Sequence, residues 1–309
     1  MVKSSLRVRG MSVRFKVPNG SVAAASDVSL DLGEGEVLAL VGESGCGKSV
    51  VASGLLGLLP GNARVSGAAV LRGPEGEVEL LGASQQELST KVRGRRIGLV
   101  PQSAATHLHP VRTIRAQLAE TISELGAELD VARAAARAHF PADHLDRYPH
   151  QLSGGLAQRA AIALALAGSA WLVLADEPTT GLDRALVHEI VDEFRRIADQ
   201  GHAVLMVTHD LAAAERVADR VAVMYAGRIV EDSPAKAFYG GPAHPYARGL
   251  LNALPEREFR PIPGVPPQLS ELPAGCAFQP RCVLATDLCT QLPEPTGEDH
   301  IVACHHAHA

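Results

Sequence analysis

Two glycine-rich segments, about a hundred residues apart, contain the residue types that handle phosphate groups. Residues 42–49 read GESGCGKS and fit the P-loop pattern G-x-x-x-x-G-K-[ST]. In such a loop, backbone N–H groups surround a phosphate chain, a lysine reaches the β- and γ-phosphates, and a hydroxyl ligates Mg²⁺. Lys48 and Ser49 are predicted to fill those roles. The second segment, 152–159, reads LSGGLAQR and precedes a pair of acidic residues.

The acidic pair, Asp176 and Glu177, ends the apolar run 171–175. Acidic residues at the carboxyl end of a buried parallel strand face the ligand crevice of an α/β sheet. Asp176 suits Mg²⁺ binding, and Glu177 suits a general base that polarises the attacking water. The alternative is a solvated strand end, which is the weaker explanation because the segment PTTGLD follows at 178–183.

Four of the five cysteines lie near the C-terminus, at Cys276, Cys282, Cys289 and Cys304. Four thiolates suit an iron–sulfur cluster or a tetrahedral zinc ion, and free thiols are the third alternative. The spacings between these four cysteines do not include the tight C-x₂-C pairs of zinc ribbons. This difference favours an iron–sulfur cluster over a zinc ion. The fifth cysteine, Cys46, fills a free position of the P-loop, and we interpret it as a small residue that fits there.

The composition is that of an ordinary globular protein. The 309 residues are 46% hydrophobic and 20% charged, with a net charge of −5 and only 4% aromatic residues. These values argue against a nucleic-acid-binding protein and against a base-stacking surface. The longest apolar stretch, 160–175, is too short to span a bilayer, and residues 1–10 lack the apolar centre of a signal peptide. We expect a cytosolic protein that meets a membrane only through a partner.

Apolar runs alternate with helical patterns up to about residue 240, which predicts an α/β fold with a mostly parallel sheet. The predicted strands are 6–15, 28–32, 36–41, 97–100, 171–175, 203–207 and 221–225. The predicted helices are 48–59, 116–138, 155–167, 184–199 and 211–218. Prolines are dense after residue 254 and disfavour regular structure. The predicted domains are therefore 1–240 and an irregular extension, 241–309.

Six motifs in order resemble those of the ATP-binding-cassette (ABC) ATPases, over about residues 5–240. They are the P-loop, Gln102 in the Q-loop position, 152–158 as the LSGGQ-type signature, 172–177 as Walker B with the catalytic glutamate, 181–183 as the D-loop, and 208–210 with the switch histidine. The resemblance implies a RecA-like core, an antiparallel β-subdomain and a helical subdomain at about 103–168.

The resemblance also implies a mechanism. Two cassettes close head to tail, and ATP lies between the P-loop of one cassette and the signature of the other. Catalysis would depend on Glu177, His209 and Gln102, and Mg²⁺ would be held by Ser49, Gln102 and Asp176. The implied ATP-site residues are Gly42, Ser44, Gly45, Cys46, Gly47, Lys48, Ser49, Val50, Gln102, Ser153, Gly154, Gly155, Gln158, Asp176 and Asp183.

The C-terminal extension narrows the resemblance. Residues 242–251, PAHPYARGLL, resemble the HPY segment of oligopeptide/dipeptide importer ATPase subunits, and 261–267 and 275–282 extend the match. Some members of that family hold a [4Fe–4S] cluster in this region. The resemblance therefore implies such a cluster on the four cysteines, with zinc as the alternative.

The function implied is ATP hydrolysis that drives peptide import, at the cytoplasmic face of the cell membrane. The implied partners are two membrane-spanning permease subunits, a second ABC ATPase that is identical or homologous, and indirectly an extracytoplasmic substrate-binding protein. A nickel or metallophore importer is the close alternative. A soluble ABC ATPase usually needs a coiled-coil insertion or tandem cassettes, and a small-molecule P-loop kinase would leave His209 and 153–155 unexplained.

Overall fold

The structure, a computed structural model, describes residues 4–18, 20–168 and 170–307. The outer ends of both predicted domains, residues 1–3 and 308–309, lie outside the described part. In chain order the strands are β1 (Ser4–Val17), β2 (Gly20–Gly33), β3 (Val37–Val41), β4 (Ala63–Gly73), β5 (Gly76–Glu79), β6 (Ile97–Val100), β7 (Leu172–Asp176), β8 (Ala203–Thr208), β9 (Arg220–Tyr225), β10 (Arg228–Pro234) and β11 (Ile301–Val302).

The α-helices, also in chain order, are α1 (Lys48–Leu55), α2 (Gln85–Glu87), α3 (Ala104–His107), α4 (Ile114–Leu125), α5 (Val131–Arg137), α6 (Gly154–Ala165), α7 (Arg184–Asp199), α8 (Leu211–Val217), α9 (Ala235–Gly240) and α10 (Pro245–Asn252). Shorter helical turns of other types are Leu88–Val92, Ala142–His144, Pro149–Gln151, Gln279–Arg281 and Asp287–Thr290. No described helix combines the length and the apolar character needed to cross a bilayer.

The strands form two sheets. One is a seven-stranded sheet in the order β11-β10-β9-β3-β8-β7-β6, and the other is a four-stranded antiparallel sheet in the order β2-β1-β4-β5. In the larger sheet, β9, β3, β8, β7 and β6 run parallel to one another, whereas β10 runs antiparallel to both of its neighbours, β9 and β11. Every residue of β3 and β8 is buried, as expected for central strands of a parallel sheet that is covered on both faces.

Two apolar cores lie on the two faces of the larger sheet. Because side chains alternate along a strand, Val37, Ala39 and Val41 of β3 join the core formed with the helices. Leu38 and Leu40 join the other core, which includes residues of the antiparallel sheet. The central strand therefore links both halves of the molecule, and it leads directly into the P-loop.

Helix α7 has the bounds that its periodicity predicts, 184–199, and it buries Ile190, Val191, Phe194 and Ile197. Helices α3 to α6 all lie between β6 and β7 in the chain, although these two strands are neighbours in the sheet. Four helices are thus inserted between adjacent strands of the parallel sheet.

Some predicted elements were wrong in extent. The single helix predicted over 116–138 is two helices, because Gly126 adopts a left-handed conformation with φ of 63° and ends α4. Asp130 then caps α5 through the N–H group of Arg133. The helix predicted over 48–59 ends at Leu55, before Gly57 at φ of 61°.

The antiparallel subdomain that the resemblance implied is present as the smaller sheet, but its strands were only partly predicted. Strands β4, β5 and β10 were not predicted, and β1 and β2 are longer than expected. The C-terminal extension is mostly irregular, but it contains α10 and the short strand β11. This strand returns to the larger sheet and pairs with β10, with Glu231 opposite Val302.

Candidate functional site

The predicted site residues meet at the carboxyl edge of the parallel sheet. The P-loop follows β3, and His209 follows the neighbouring strand β8. Asp176 and Glu177 lie at the end of β7, which pairs with β8 so that Asp176 is opposite Val207. Because parallel strands end at the same edge, segments distant in sequence form one crevice, as is usual for ligand sites of open α/β sheets.

Two glycines of the P-loop allow its backbone to approach neighbouring strands closely. A side chain at Gly42, where φ is 151°, would place its Cβ 2.2 Å from the carbonyl oxygen of Met224. At Gly47, where φ is 107°, the Cβ would lie 2.1 Å from the carbonyl oxygen of Ala24. Gly47 also caps α1 without any side-chain hydrogen bond. The first N–H groups of α1 are therefore available to an anion bound in the loop.

Lys48 lies across the P-loop. Its Nζ donates to the carbonyl oxygens of Gly42 at 2.8 Å and Glu43 at 3.2 Å, and it lies 3.9 Å from Oε1 of Glu177. The side chain is only 5% exposed. A buried ammonium group at this position supplies positive charge where a phosphate chain would enter the loop.

Ser49 and Asp176 lie in direct contact, since the Ser49 hydroxyl donates to Oδ1 of Asp176 at 2.8 Å. Burial raises the pKa of the Asp176 carboxyl and the charge of Glu177 raises it further, whereas Ser49 and Lys48 act in the opposite direction. A hydroxyl and a carboxylate are the hard oxygen ligands that Mg²⁺ prefers. The pair therefore fits the predicted Mg²⁺ site.

Glu177 and His209 form the second contact of the crevice. Nδ1 of His209 lies 2.6 Å from Oε2 of Glu177, which is itself only 8% exposed. Glu177 adopts a left-handed backbone conformation with φ of 48°, and its N–H donates to Val207. Such a conformation is strained for a residue other than glycine, and strain of this kind is typical of functional sites.

The signature segment lies apart from the P-loop. The Ser153 hydroxyl accepts from the N–H of Leu156 and caps α6, and Asp183 caps α7 through Leu186. A Cβ at Gly155 would lie 2.3 Å from Leu186, so α6 packs closely against α7 of the same chain. Within the described part of the chain, no hydrogen bond or ion pair joins 153–155 to residues 42–49. The structure thus does not unite the two glycine-rich segments.

Three other predicted site residues have distinct environments. Gln102 is exposed two residues after β6, at the same edge of the sheet as Asp176. Gln158 is 4% exposed, and its Nε2 has no hydrogen-bond partner in the structure. This buried position gives no support to the predicted contact of Gln158 with ATP. Cys46 is also buried, which raises the pKa of its thiol and keeps it protonated.

The four cysteines of the extension are not in disulfides. Burial raises the pKa of the Cys276, Cys282 and Cys304 thiols, and other cysteines of the set add to the rise, so the four lie in one neighbourhood. Among residues 4–18, 20–168 and 170–307, however, no group of three or more His, Cys, Asp or Glu side chains is arranged to hold a metal ion. The donor atoms suit a metal group, but the arrangement of the described side chains supports neither an iron–sulfur cluster nor a zinc ion.

Sequence reasoning missed the residues of the extension that reach the P-loop. Arg281 forms an ion pair with Glu43, and the Tyr246 hydroxyl accepts from the N–H of Glu43. Tyr246 lies within the HPY segment, which was the one available signal. Arg281 lies in segment 275–282, which extends the same resemblance, but nothing in that segment indicates a contact with the P-loop.

Comparisons with known proteins agree with this geometry. The profile of the family described as "ABC transporter" matches residues 25–180, and that of the "Oligopeptide/dipeptide transporter, C-terminal region" matches residues 230–289. The oligopeptide transport ATP-binding protein OppD of Haemophilus influenzae is 39% identical in an alignment of 312 positions, which covers 96% of this chain and 94% of that protein. OppD of Escherichia coli is 38% identical, over 93% of this chain and 88% of that protein.

A putative peptide import ATP-binding protein of Brucella ovis is 38% identical, over 92% of this chain and 90% of that protein. Among solved structures, the ATP-binding cassette MJ0796, a dimer with ADP and phosphate, gives a TM-score of 0.64 at 24% identity. The matched region covers 74% of this chain and 98% of the MJ0796 chain. The protein cbiO1 of Clostridium perfringens also gives a TM-score of 0.64 at 24% identity. The matched region covers 77% of this chain and 91% of the cbiO1 chain. These likenesses show the fold.

The predicted fold class is thereby confirmed: an α/β ABC ATPase with a parallel-sheet core, an antiparallel β-sheet and an additional C-terminal region. The P-loop, the Ser49–Asp176 contact and the Glu177–His209 contact lie at the same edge of the parallel sheet. The chain belongs to the ABC transporter ATP-binding proteins that have the oligopeptide/dipeptide transporter C-terminal region.

Proposed function

We propose that this chain hydrolyses ATP to drive the import of peptides, as the ATP-binding subunit of an ABC importer. The observation that carries the proposal is the convergence of Lys48, the Ser49–Asp176 pair and the Glu177–His209 pair at one sheet edge. The relatives named as peptide transport proteins, and the match of residues 230–289, support peptides as the cargo.

ATP binding is assigned to the P-loop. Backbone N–H groups of the loop and of the start of α1 would contact the phosphates, and Lys48 would leave its contacts with Gly42 and Glu43 to meet them. Ser49 and Asp176 would hold Mg²⁺, with Gln102 at the same edge. The ion, when bound, neutralises charge on the β- and γ-phosphates.

Proton transfer is assigned to Glu177. Its carboxylate would accept a proton from the attacking water, and His209, at 2.6 Å, would keep that carboxylate oriented. Both side chains are attached at the ends of rigid central strands, so the base is held in place by the sheet. The left-handed backbone at Glu177 turns the side chain towards Lys48, which lies 3.9 Å from its second oxygen.

The signature segment is proposed to complete the ATP site of a second cassette. Ser153 and Gly154 are exposed, and within the described residues no hydrogen bond or ion pair joins 153–155 to the P-loop of the same chain. The cassette MJ0796 is described as dimeric, which supports the same arrangement here. Residues 153–155, with Asp183 nearby, would then face the γ-phosphate bound by the partner cassette. The partner is an identical or a homologous ATPase.

The inserted helices are proposed as the docking site for the permeases. We place the helical subdomain at about 103–168, within a cassette of residues 1–240, and the C-terminal extension at 241–309. Val111, just before α4, is 74% exposed and offers an apolar contact beyond the Q-loop position. Two membrane-spanning subunits would hold the chain at the cytoplasmic face of the membrane, and an extracytoplasmic binding protein would deliver the peptide.

Co-purification tests this assignment. The tagged chain is isolated from detergent-solubilised membranes of its own organism, and the partners are identified by mass spectrometry. Two permeases, together with a binding protein that retains di- or oligopeptides, are expected. A binding protein that retains nickel or a metallophore would replace peptides as the cargo. A complex without permeases would overturn the transport role and favour a soluble ABC ATPase.

We also propose a [4Fe–4S] cluster on Cys276, Cys282, Cys289 and Cys304. The support is the chemistry of four neighbouring thiols, because thiolates are the ligands that such clusters require. Protein purified without oxygen should contain about four irons and as many sulfides per chain, with visible absorbance from thiolate-to-iron charge transfer. A folded, colourless and iron-free protein would overturn the cluster, and a zinc assay would then decide between a bound zinc ion and free thiols.

A further inference from the structure

The C-terminal extension contacts the P-loop through a two-point ion pair. Nη1 of Arg281 donates to Oε2 of Glu43 at 2.7 Å, and Nη2 donates to Oε1 at 3.0 Å. The two residues are 238 positions apart in the sequence. A fork of two parallel hydrogen bonds fixes the direction of the carboxylate as well as its distance. Glu43 occupies a free position of the P-loop motif, so phosphate binding alone does not explain this contact.

Arg281 makes two further hydrogen bonds, one within the extension and one to the cassette. Its Nε donates to the carbonyl oxygen of Pro263 at 2.8 Å, and Nη1 also donates to the Tyr225 hydroxyl at 3.3 Å. The side chain is only 3% exposed, whereas that of Glu43 is 28% exposed. Hydrogen bonding to Glu43 raises the pKa of Arg281, so the group stays cationic. A buried cation of this kind is costly without its carboxylate partner.

The backbone of Glu43 is held by the same part of the molecule. Its N–H donates to the hydroxyl of Tyr246 at 2.9 Å, and Tyr246 is fully buried in α10. Its carbonyl oxygen accepts from Nζ of Lys48 at 3.2 Å. The rings of Tyr225, Tyr246 and Phe278 pack together beneath these contacts. Glu43 is therefore the residue at which the extension and the phosphate-binding lysine meet.

We propose that Arg281 is a positioning residue for ATP binding. By fixing both carboxylate oxygens of Glu43, it holds the first half of the P-loop in the shape that presents N–H groups and Lys48 to the phosphates. The folding of the extension is thereby coupled to the affinity for nucleotide. The inference rests on the proposed function only in taking ATP as the ligand of the P-loop.

The position of the contact predicts which kinetic parameter changes. Arg281 reaches the nucleotide only through Glu43 and does not contact Glu177 or His209. Its loss should therefore weaken ATP binding in the ground state and the transition state alike, which raises KM and leaves kcat nearly unchanged. Loss of the general base would have the opposite signature. If Arg281 only stabilised the fold of the extension, its loss would lower thermal stability without raising KM selectively over kcat.

The experiment compares Arg281→Lys, Arg281→Met and Glu43→Gln in the full chain, with a fluorescent ATP analogue and Mg²⁺. We expect the Kd to rise at least about fivefold in each, the lower end of typical coupling between two sites. Lysine keeps the charge but cannot make the two-point contact, so Arg281→Lys should not restore affinity. Arg257→Met is the matched control, because Arg257 also joins the extension to the cassette, through the carbonyl oxygen of Tyr239.

The double variant Glu43→Gln/Arg281→Met decides whether the two residues act as one unit. Its Kd should match that of Arg281→Met, because a pair that acts through one contact gives effects that do not multiply. Multiplied effects, or folded single variants that bind the analogue as wild type does, would overturn the inference. If Arg281→Met does not fold, Arg281→Lys and Glu43→Gln decide by the same criteria. A wild-type chain that fails to bind ATP would instead overturn the proposed function.

Discussion

At the scale of single residues, the ATPase site is a small set of contacts between groups whose chemistry the sequence already indicated. The P-loop pattern predicted Lys48 and Ser49, and the strand-end position predicted Asp176 and Glu177. The structure places them together at one edge of the sheet. It also adds what no motif states, namely that Glu177 reaches His209 from a left-handed backbone conformation.

The first prediction concerns His209. Replacing it with alanine removes the group 2.6 Å from the Glu177 carboxylate, so the base loses its orientation. We expect kcat for ATP to fall about 10²-fold, the lower end for general-base catalysis, with ATP affinity nearly unchanged. Steady-state ATPase assays with a nucleotide titration measure both. His202→Ala is the control, because His202 lies at the opposite end of β8 and contacts the carbonyl oxygen of Ala170. Equal losses in the two variants would argue against the assigned role.

The second prediction concerns the metal requirement. Ser49→Ala removes one of the two oxygen ligands assigned to Mg²⁺ and leaves Asp176 without its 2.8 Å hydrogen bond. ATPase activity should then need a higher Mg²⁺ concentration, and chelation with EDTA should abolish activity in both proteins. An unchanged Mg²⁺ dependence would mean that Ser49 is not a ligand. Ser53→Ala in the same helix is the matched control.

At the scale of elements, sequence-based prediction worked best for helices and strands whose apolar pattern lies within the segment itself. Helix α7 matches its periodicity because one face is continuously apolar, and β3 and β8 were found because both of their faces are buried. The prediction of one helix over 116–138 was wrong at Gly126. This glycine has a left-handed conformation that ends the helix, although the residues on either side have a helical pattern. Strands β4 and β5 were missed because most of their residues are not buried, so no continuous apolar pattern marks them.

The attachment of the extension could not be predicted for a related reason. Glu43 and Arg281 are far apart in sequence, and neither residue type is unusual for its local surroundings. Glu231 is similar, since its fully buried carboxylate accepts from the N–H groups of Ala243 and His244 and contacts His300. Such contacts depend on the assembled fold. The HPY segment, 261–267 and 275–282 marked this region in advance, but none of them indicated a contact with the P-loop.

The third prediction concerns the stability of this attachment at low pH. Burial and the charge of Arg248 lower the pKa of His244, at the start of α10, to about 3. The unfolded chain takes up this proton at an ordinary pKa of about 6.5, so it binds more protons than the folded chain below that pH. The free energy of unfolding should therefore fall with decreasing pH below about 6.5, by up to about 1.4 kcal/mol per pH unit.

Urea unfolding at several pH values between about 7 and 5 measures this effect. Wild type should lose stability more steeply than His244→Asn, since asparagine can also cap a helix but does not titrate. His188→Asn removes an exposed histidine and should keep the wild-type slope. Identical slopes for wild type and His244→Asn would show that His244 does not contribute.

At the scale of the whole molecule, no hydrogen bond or ion pair joins the two glycine-rich segments within the described residues. Both segments have exposed residues, namely Ser44, Gly45 and Ser49 in the P-loop and Ser153 and Gly154 in the signature, and the P-loop also contacts the C-terminal extension. The proposed dimer resolves this separation by completing each ATP site with the signature of the other cassette. The extension then holds the P-loop from the side of its own chain.

The fourth prediction tests this composite site. Lys48→Ala disables the P-loop and Ser153→Arg disables the signature, so each variant alone should be nearly inactive. In a mixed dimer, the intact P-loop of one chain meets the intact signature of the other. If the chain pairs with itself, an equal mixture should recover about a quarter of the wild-type activity, because half of the dimers have one of two sites intact. No recovery would contradict a homodimeric composite site.

The most direct test of the central claim is to compare Glu177→Gln with wild type in one experiment that measures both ATP turnover and association state. Light scattering and ATPase assays are run on the same samples with saturating Mg²⁺ and ATP. The account predicts that turnover falls about 10²- to 10⁴-fold, while the variant still binds ATP and forms a stable dimer that wild type forms only transiently. Wild-type turnover in Glu177→Gln, or a variant that stays monomeric with ATP bound, would contradict it.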